Sequence, residues 1–177
     1  MKNVKQQGFT LIELMITIGI AVIVMGIAVP SFTTLIENNL IQAKADSVYS
    51  AIMLARSESI ARNQPVIICK SSDGSSCTSS GNWEQGWFIY ADTNANNVKD
   101  SSDPILQVYE AFPTNFLLRP DTAYANQLVY QANGSVTSQG TFEFFPPCTS
   151  SENATVRQVI ISSTGRPRRN ETTATCP

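Results

Sequence analysis

The most distinctive chemistry in this 177-residue sequence is a cluster of arginines near its C-terminal end. Four arginines and no acidic residue occur within residues 157–170, namely Arg157, Arg166, Arg168 and Arg169. An arginine guanidinium is planar and permanently charged, and it binds a phosphate group through two parallel hydrogen bonds. Gly165 permits a tight turn before the cluster, and Pro167 stiffens the segment. The pattern predicts a site that binds phosphate groups.

Neither Trp nor Tyr adjoins the arginine cluster, so we expect contacts to phosphate rather than stacking on bases. Such contacts give low affinity and little preference for base sequence. The formal net charge is −2, from 12 basic and 14 acidic side chains, which argues against a protein that coats nucleic acid over its whole surface. Two other interpretations stay open: a solvated basic turn, and arginines that form ion pairs with a neighbouring subunit.

The sequence contains no histidine, which excludes several classes of catalytic and metal site. Ser-His-Asp and Cys-His catalysis, the HExxH motif and histidine-based zinc sites all require it. The four cysteines show no CxxC spacing, so a zinc site built from them is not favoured. We therefore predict that the protein is not an enzyme and that it has no cofactor.

One loop partly matches a calcium-binding EF-hand. Its acidic and amide residues, at the first, third, fifth, ninth and twelfth places, are Asp92, Asn94, Asn96, Asp100 and Asp103. Asn97 stands where an EF-hand needs glycine, and the loop ends on a short Asp instead of a bidentate Glu. These departures favour a loop rich in Asx turns over a calcium site.

Four cysteines indicate an oxidising compartment, and three pairings are possible. Cys69 and Cys77 flank a short Ser/Gly loop, so a bridge between them forms easily. Cys148 would then pair with Cys176 and tie the C-terminal tail to the strand that ends near residue 147.

The residues that position these groups begin with an apolar segment. Residues 1–8 are polar and include Lys2 and Lys5, whereas Phe9 to Val29 contain only one charged residue, Glu13. A helix of this length spans about 30 Å, the thickness of a bilayer core, and the basic leader marks its cytoplasmic side. A carboxylate inside such a segment needs a partner. If the chain is cut between Gly8 and Phe9, a neighbouring subunit could present its new α-amine to Glu13.

The rest of the sequence predicts an α+β fold. An amphipathic pattern continues the helix to Arg62, where Asn63-Gln64-Pro65 ends it. The segments that follow predict antiparallel strands near residues 66–69, 86–90, 104–112, 115–118, 128–130, 141–145 and 156–162. Asn133-Gly134 predicts a hairpin between two of them, and a turn is expected at Thr164-Gly165. We expect three regions: a leader at 1–8, a transmembrane or filament-core helix at 9–30, and a globular domain at 31–177 (helix 31–62, sheet 65–177).

Gly8-Phe9-Thr10-Leu11-Ile12-Glu13 and the apolar run resemble the class III signal of type IV pilins and type II secretion pseudopilins. Motifs in the body resemble the GspH/FimT group of minor pilins: Ala55-Arg56-Ser57-Glu58, Gly86-Trp87, Asp92-Thr93-Asn94 and Ser163-Thr164-Gly165-Arg166. The resemblance implies a pilin-like fold, cleavage after Gly8 by a prepilin peptidase and N-methylation of Phe9. It also implies storage in the inner membrane with the globular domain in the periplasm, and then assembly with other major and minor pilins into an extracellular pilus, where Glu13 helps to set the register.

Gly165-Arg166-Pro167-Arg168 resembles the GRxR signature of FimT-type DNA-binding minor pilins. This resemblance implies that extracellular DNA binds for uptake in natural transformation, through Arg166, Arg168 and Arg169 with help from Arg157 and Gly165. The alternative is a tip-priming minor pilin or a type II secretion pseudopilin that does not bind DNA.

Overall fold

The computed structural model describes residues 8–112, 116–148 and 151–177 of the chain, which forms two compact units, residues 1–38 and 39–177. Helix α1 spans Leu11–Arg62. In the first unit, Leu11–Ala28 has a mean hydropathy of 2.5 and is long and apolar enough to cross a membrane. Of the predicted leader, only Gly8 lies within the described residues.

Helix α1 ends at the predicted place, and the reason is local. Asn63 adopts a left-handed backbone conformation with φ 53°, which asparagine tolerates better than most residues. Its N–H donates to the carbonyl of Ile60 at 3.3 Å, and the N–H of Gln64 donates to Ser59 at 3.3 Å. These bonds satisfy carbonyls at the end of the helix before Pro65 turns the chain into the first strand.

Within the described residues, eight strands follow: β1 Val66–Lys70, β2 Trp87–Ala91, β3 Ile105–Tyr109, β4 Leu117–Pro120, β5 Gln127–Tyr130, β6 Gly140–Phe145, β7 Asn153–Ile161 and β8 Pro167–Thr175. They form two four-stranded antiparallel sheets, with the orders β3-β2-β1-β5 and β4-β6-β7-β8. The predicted α+β class is confirmed. The strands divide between two sheets, because the connections from β3 to β4, from β4 to β5 and from β5 to β6 each cross from one sheet to the other.

The prediction of a hairpin at Asn133-Gly134 is wrong. A tight turn is present, since the N–H of Gly134 donates to Gln131 at 2.8 Å and Gly134 has φ +77°. However, β5 pairs with β1, and β6 pairs with β4 and β7. After this turn the chain forms an isolated bridge to the end of β5, between Tyr130 and Val136, and not a paired strand. Of the strand predicted at 115–118, residue 115 lies outside the described residues, and the observed strand begins at Leu117.

The core of the second unit lies between the helix and the two sheets. The helix contributes a buried stripe: Ile41, Ala45, Val48, Ala51, Ile52 and Ala55. Three of these residues are alanines, and large aromatic side chains such as Trp87, Tyr130 and Phe142 belong to the same core. Trp83 and Trp87 belong to this core, exposed by 3% and 2%, so neither offers a surface for base stacking.

Candidate nucleic-acid interface

The β7–β8 hairpin carries the arginines. Its connecting residues are 162–166, where the N–H of Gly165 donates to Ser162 at 2.8 Å and the N–H of Ser162 donates to Arg166 at 3.2 Å. Gly165 has φ +76°, a conformation that residues with a Cβ rarely adopt. The turn expected at Thr164-Gly165 is present, but Arg168 and Arg169 lie on strand β8 rather than on that turn.

Strand β8 was not predicted, because its sequence PRRNETTAT is polar and lacks an apolar stripe. Its only strand-like signal is the run of β-branched threonines near its end. Nine residues pair in register with β7, from Ile161 opposite Pro167 to Asn153 opposite Thr175. The arginines are therefore held on a regular hairpin rather than on a loose segment.

Alternation along β8 separates the two neighbouring arginines. Arg169 turns toward helix α1, where its Nη2 lies 3.0 Å from Asp46 Oδ1 in an ion pair. Its guanidinium also lies 4.2 Å from the centroid of the Tyr49 ring, in cation–π contact. Because Arg169 is engaged from two sides, it fastens β8 to the helix.

Arg157 on β7 is engaged as well. The register places it opposite Glu171, and its Nη1 donates to the Glu171 carboxylate. Residues 157–170 contain no acidic residue, but this does not leave their arginines unpaired. Glu171, which follows the segment, pairs with Arg157, and Asp46 on the helix pairs with Arg169. Two of the four predicted phosphate ligands already have carboxylate partners, which corrects the expectation that all four are available.

Arg166 and Arg168 differ from the other two. Both are exposed, and within residues 8–112, 116–148 and 151–177 neither has an acidic partner. They stand two residues apart, with Arg168 near the start of β8 and Arg166 immediately before that strand. These two guanidiniums are available to an external anion.

Polar side chains continue the face of the sheet beside Arg168. The Asn170 Nδ2 donates to Gln158 Oε1 at 2.7 Å, and the Gln158 Nε2 donates to Glu143 Oε1 at 2.8 Å. This ladder crosses β8, β7 and β6 and ends on a carboxylate. Because that carboxylate repels an anion, it limits the available positive surface to the turn end of the hairpin.

A cavity of about 300 Å³ lies between helix α1 and the β7–β8 pair. Gln42 and Ala45 line it from the helix, and Arg157, Arg169 and Glu171 line it from the strands. Both of its cations are already paired with carboxylates, so the cavity offers little to an anion.

Packing beneath Gly165 fixes the position of the hairpin turn. The Tyr130 hydroxyl donates to the Gly165 carbonyl at 3.0 Å, and Tyr130 is buried. A Cβ built on Gly165 would lie 2.0 Å from the Gly134 carbonyl oxygen. The turn at 131–134 and the turn at 162–165 are therefore in direct contact. Sequence reasoning missed this role of Tyr130 and Gly134; the paired turn signals Asn133-Gly134 and Thr164-Gly165 were the available hint.

The structure contains two disulfides, Cys69–Cys77 and Cys148–Cys176, and no described cysteine is free. The Cys148–Cys176 bridge follows the end of β8, and the N–H of Cys176 donates to Glu152 at 2.8 Å. Both ends of β8 are thus held: the turn by Tyr130 and Gly134, and the tail by the disulfide.

The loop at residues 92–103 uses its carboxylates internally. Asp92 is fully buried, and its two oxygens accept from the N–H groups of Asn96 at 3.3 Å and Asn97 at 2.8 Å. Asp103 Oδ1 accepts from the N–H and hydroxyl of Thr93, both at 2.8 Å. No group of three or more His, Cys, Asp or Glu side chains suited to a metal occurs among the described residues. The geometry supports the Asx-turn interpretation of this loop.

Hydrogen bonds shift the acidity of two carboxyls in this loop. Bonds from the Ser102 hydroxyl and N–H hold the pKa of Asp100 below its ordinary value. Burial raises the pKa of Asp103, but bonds from Thr93 and from the N–H of Asp100 outweigh it, so that pKa is also lowered. Both carboxyls are therefore stabilised in the charged form.

At the start of helix α1, Thr10 and Glu13 form a capping box. The Thr10 N–H and hydroxyl both donate to Glu13 Oε2 at 2.8 Å, and the Glu13 N–H donates to the Thr10 hydroxyl at 3.3 Å. The carboxylate is thus satisfied within its own chain. Phe9 lies next to this cap and is exposed.

Sequence comparison matches residues 44–165 to the GspH family, described as type II transport protein GspH. It also matches residues 3–29 to the prokaryotic N-terminal methylation motif. No curated protein matches the chain significantly.

Two kinds of solved structure are similar in fold. The type IV minor pilin FimU of Pseudomonas aeruginosa PAO1, in space group P21, shares 20% identity over 76% of this chain and 90% of that chain, with a TM-score of 0.58. The minor pseudopilin EpsH from the Type 2 Secretion System of Vibrio cholerae shares 16% identity over 74% of this chain and 96% of that chain, with a TM-score of 0.53. These similarities confirm the predicted pilin-like fold.

Proposed function

Because the chain belongs to the GspH family of type II transport proteins, we propose that it is a minor type IV pilin that binds extracellular DNA for uptake in natural transformation. The family and the N-terminal methylation motif make it a minor pilin or pseudopilin, with other pilins and a prepilin peptidase as partners. The apolar helix and the motif indicate membrane anchoring before assembly. DNA binding is the further step.

The observation that carries the DNA proposal is the pair of unengaged arginines on a fixed hairpin. Arg166 and Arg168 have no acidic partner among the described residues, whereas Arg157 and Arg169 have one each. A backbone that is already fixed lowers the conformational entropy lost when its side chains bind phosphate. These contacts support Arg166 and Arg168 as the phosphate ligands of the proposal, with Gly165 shaping the turn that joins β7 to them.

A salt titration of duplex DNA binding by the full chain in a nonionic detergent tests this proposal. Two phosphate contacts predict a log–log slope of about −2 and an affinity that is micromolar or weaker near physiological salt. Arg166→Gln and Arg168→Gln should each flatten the slope by about one unit. A scrambled duplex should bind equally well, because phosphates carry no base information.

The engaged arginines provide the matched controls. Arg157→Gln should change the slope little, because Glu171 already occupies that guanidinium. Glu171→Gln should free it and steepen the slope toward about −3. In cells, loss of Arg166 and Arg168 should reduce transformation while pili persist. Wild-type protein that does not bind DNA, or pili that disappear with the two arginines, would contradict the proposal.

The second candidate is a structural pseudopilin without DNA affinity, which the type II transport description of the family favours. In that case the two free arginines contact a neighbouring subunit. Their removal then impairs assembly and leaves no DNA-binding difference to measure, so the same variants separate the two functions.

The N-terminus supports a proposal on assembly. We propose cleavage after Gly8 by the prepilin peptidase, N-methylation of Phe9, and pairing of Glu13 with the α-amine of a neighbouring subunit. Inside one chain Glu13 accepts from Thr10, so assembly exchanges that partner for the amine. Gly8→Ala should leave an uncleaved, membrane-retained precursor on a gel. Glu13→Val should be cleaved normally but enter filaments poorly, and normal entry beside wild-type pilins would contradict the pairing.

A further inference from the structure

We propose that Arg56 on helix α1 is a positioning residue for the β7–β8 hairpin and presents Arg166 to phosphate without touching DNA itself. The proposal rests on the DNA-binding function proposed above and adds a residue to that site. It also gives a role to the Ala55-Arg56-Ser57-Glu58 segment, which is far from the hairpin in sequence.

The first step is the contact between the helix and the turn at 131–134. Arg56 is half-buried, and its Nε donates to the Gly134 carbonyl oxygen at 3.1 Å. This bond links residues 78 positions apart in the chain. It fixes one carbonyl of a turn that follows β5 and leads to the isolated bridge between Tyr130 and Val136.

The second step is the contact between that carbonyl and the arginine turn. The Gly134 oxygen lies so close to Gly165 that a Cβ there would approach it to 2.0 Å. Gly165 therefore rests directly on the group that Arg56 holds. The position of this one oxygen determines how closely the Gly165 turn can pack on the body of the domain.

Tyr130 completes the arrangement. Its hydroxyl donates to the Gly165 carbonyl at 3.0 Å, on the residue that immediately precedes Arg166. Tyr130 is itself fully buried, so this donor comes from the core of the domain. Arg56, Tyr130 and Gly134 thus form a common support under Gly165.

Removal of Arg56 leaves the Gly134 carbonyl without this donor. The turn at 131–134 then loosens, and the Gly165 turn loses a fixed surface to pack on. Arg166 and Arg168 keep their charges, so the bound complex still neutralises the same number of phosphates. The looser hairpin loses more conformational entropy when it is ordered on DNA, so the affinity falls.

The test compares Arg56→Gln with Arg62→Gln in the full chain in a nonionic detergent. Both variants remove one helix cation, but Arg62 pairs with Glu58 on its own helix rather than with either turn, so it controls for charge. One measurement is the salt dependence of duplex DNA binding. The other is hydrogen exchange, followed by mass spectrometry, in peptides that cover residues 131–136 and 162–167.

We expect Arg56→Gln to weaken DNA binding about fivefold, as loss of one hydrogen bond implies, with an unchanged salt slope. Exchange should become faster in both peptides. Arg56→Lys should show a smaller loss, since an ammonium can still donate to a carbonyl, and it serves as the second variant if Arg56→Gln folds poorly. Arg62→Gln should leave both peptides and the affinity close to wild type.

A slope that flattens by about one unit in Arg56→Gln would show direct phosphate contact and overturn the positioning role. Unchanged exchange in both turn peptides would overturn it as well. If the wild-type chain fails to bind DNA, the proposed function falls, yet the exchange comparison still decides whether Arg56 holds the turn.

Discussion

The loop at residues 92–103 and the β7–β8 hairpin both join antiparallel neighbours, but they use charge in opposite ways. In the loop, Asp92 and Asp103 accept hydrogen bonds from the loop's own backbone. In the hairpin, Arg166 and Arg168 have no acidic partner among the described residues. Charge that satisfies its own backbone determines local structure, whereas charge left unpaired is available to a ligand.

The hairpin is held by backbone contacts, strand pairing and a disulfide rather than by its two free charges. Its turn is set by contacts of backbone groups at Gly165 with Tyr130 and Gly134. Its strands are set by nine paired residues, and its far end by the Cys148–Cys176 disulfide. These contacts use backbone groups of Arg166 and Arg168 but not their side chains. The two arginines can therefore be exchanged without loss of the fold, which makes the comparison testable.

The largest effect is expected from Gly165→Ala. The substitution forces a Cβ into a left-handed conformation and against the Gly134 carbonyl, at a cost of about 2–3 kcal/mol. Urea unfolding measures the loss of stability, and the DNA titration should show weaker binding. Ser163→Ala, at an exposed neighbouring position of the same turn, is the control and should change neither. Unchanged stability in Gly165→Ala would show that the turn is not held by this packing.

A smaller effect is expected from Asp92→Ala in the loop. Its side chain accepts from Asn97 at 2.8 Å inside a buried site, and an unsatisfied N–H there costs about 2 kcal/mol. Asp92→Asn keeps one acceptor and should lose less. The DNA slope should stay at its wild-type value in both variants. A change in that slope would mean that the loop takes part in DNA binding, which would contradict its purely structural role.

Much of the fold follows from local patterns in the sequence. The apolar run after Gly8, the helix end at Asn63 and the Cys69–Cys77 bridge all depend on neighbours in the chain. Strand β8 and the split into two sheets depend on distant pairing, and a polar segment such as Pro167–Thr175 carries little sign of it. The Asn133-Gly134 turn shows the same limit, since its geometry is local but the strand that follows joins another sheet.

The candidate site divides in the same way. The arginines are visible in the sequence because their type and spacing are unusual. Whether each is free depends on Asp46, more than 100 positions away, and on the register that sets Glu171 opposite Arg157. No pattern within the arginine segment contains that information.

The smallest effect is expected from pH, and it should separate the two regions. The pKa values of Asp100 and Asp103 are lowered in the folded chain, so the unfolded chain binds protons first as the pH falls. Their contribution to stability is complete above the ordinary Asp pKa of 3.8 and is lost as the pH drops through the lower, folded values. The melting temperature should therefore be nearly constant from about pH 8 to pH 5, where no histidine titrates, and should fall below about pH 4. Asp100→Asn combined with Asp103→Asn should weaken that fall.

The salt slope of DNA binding should not change between about pH 8 and pH 5, because guanidinium stays charged throughout. A slope that varied across this range would show that a titrating group, rather than Arg166 and Arg168 alone, contacts the phosphate.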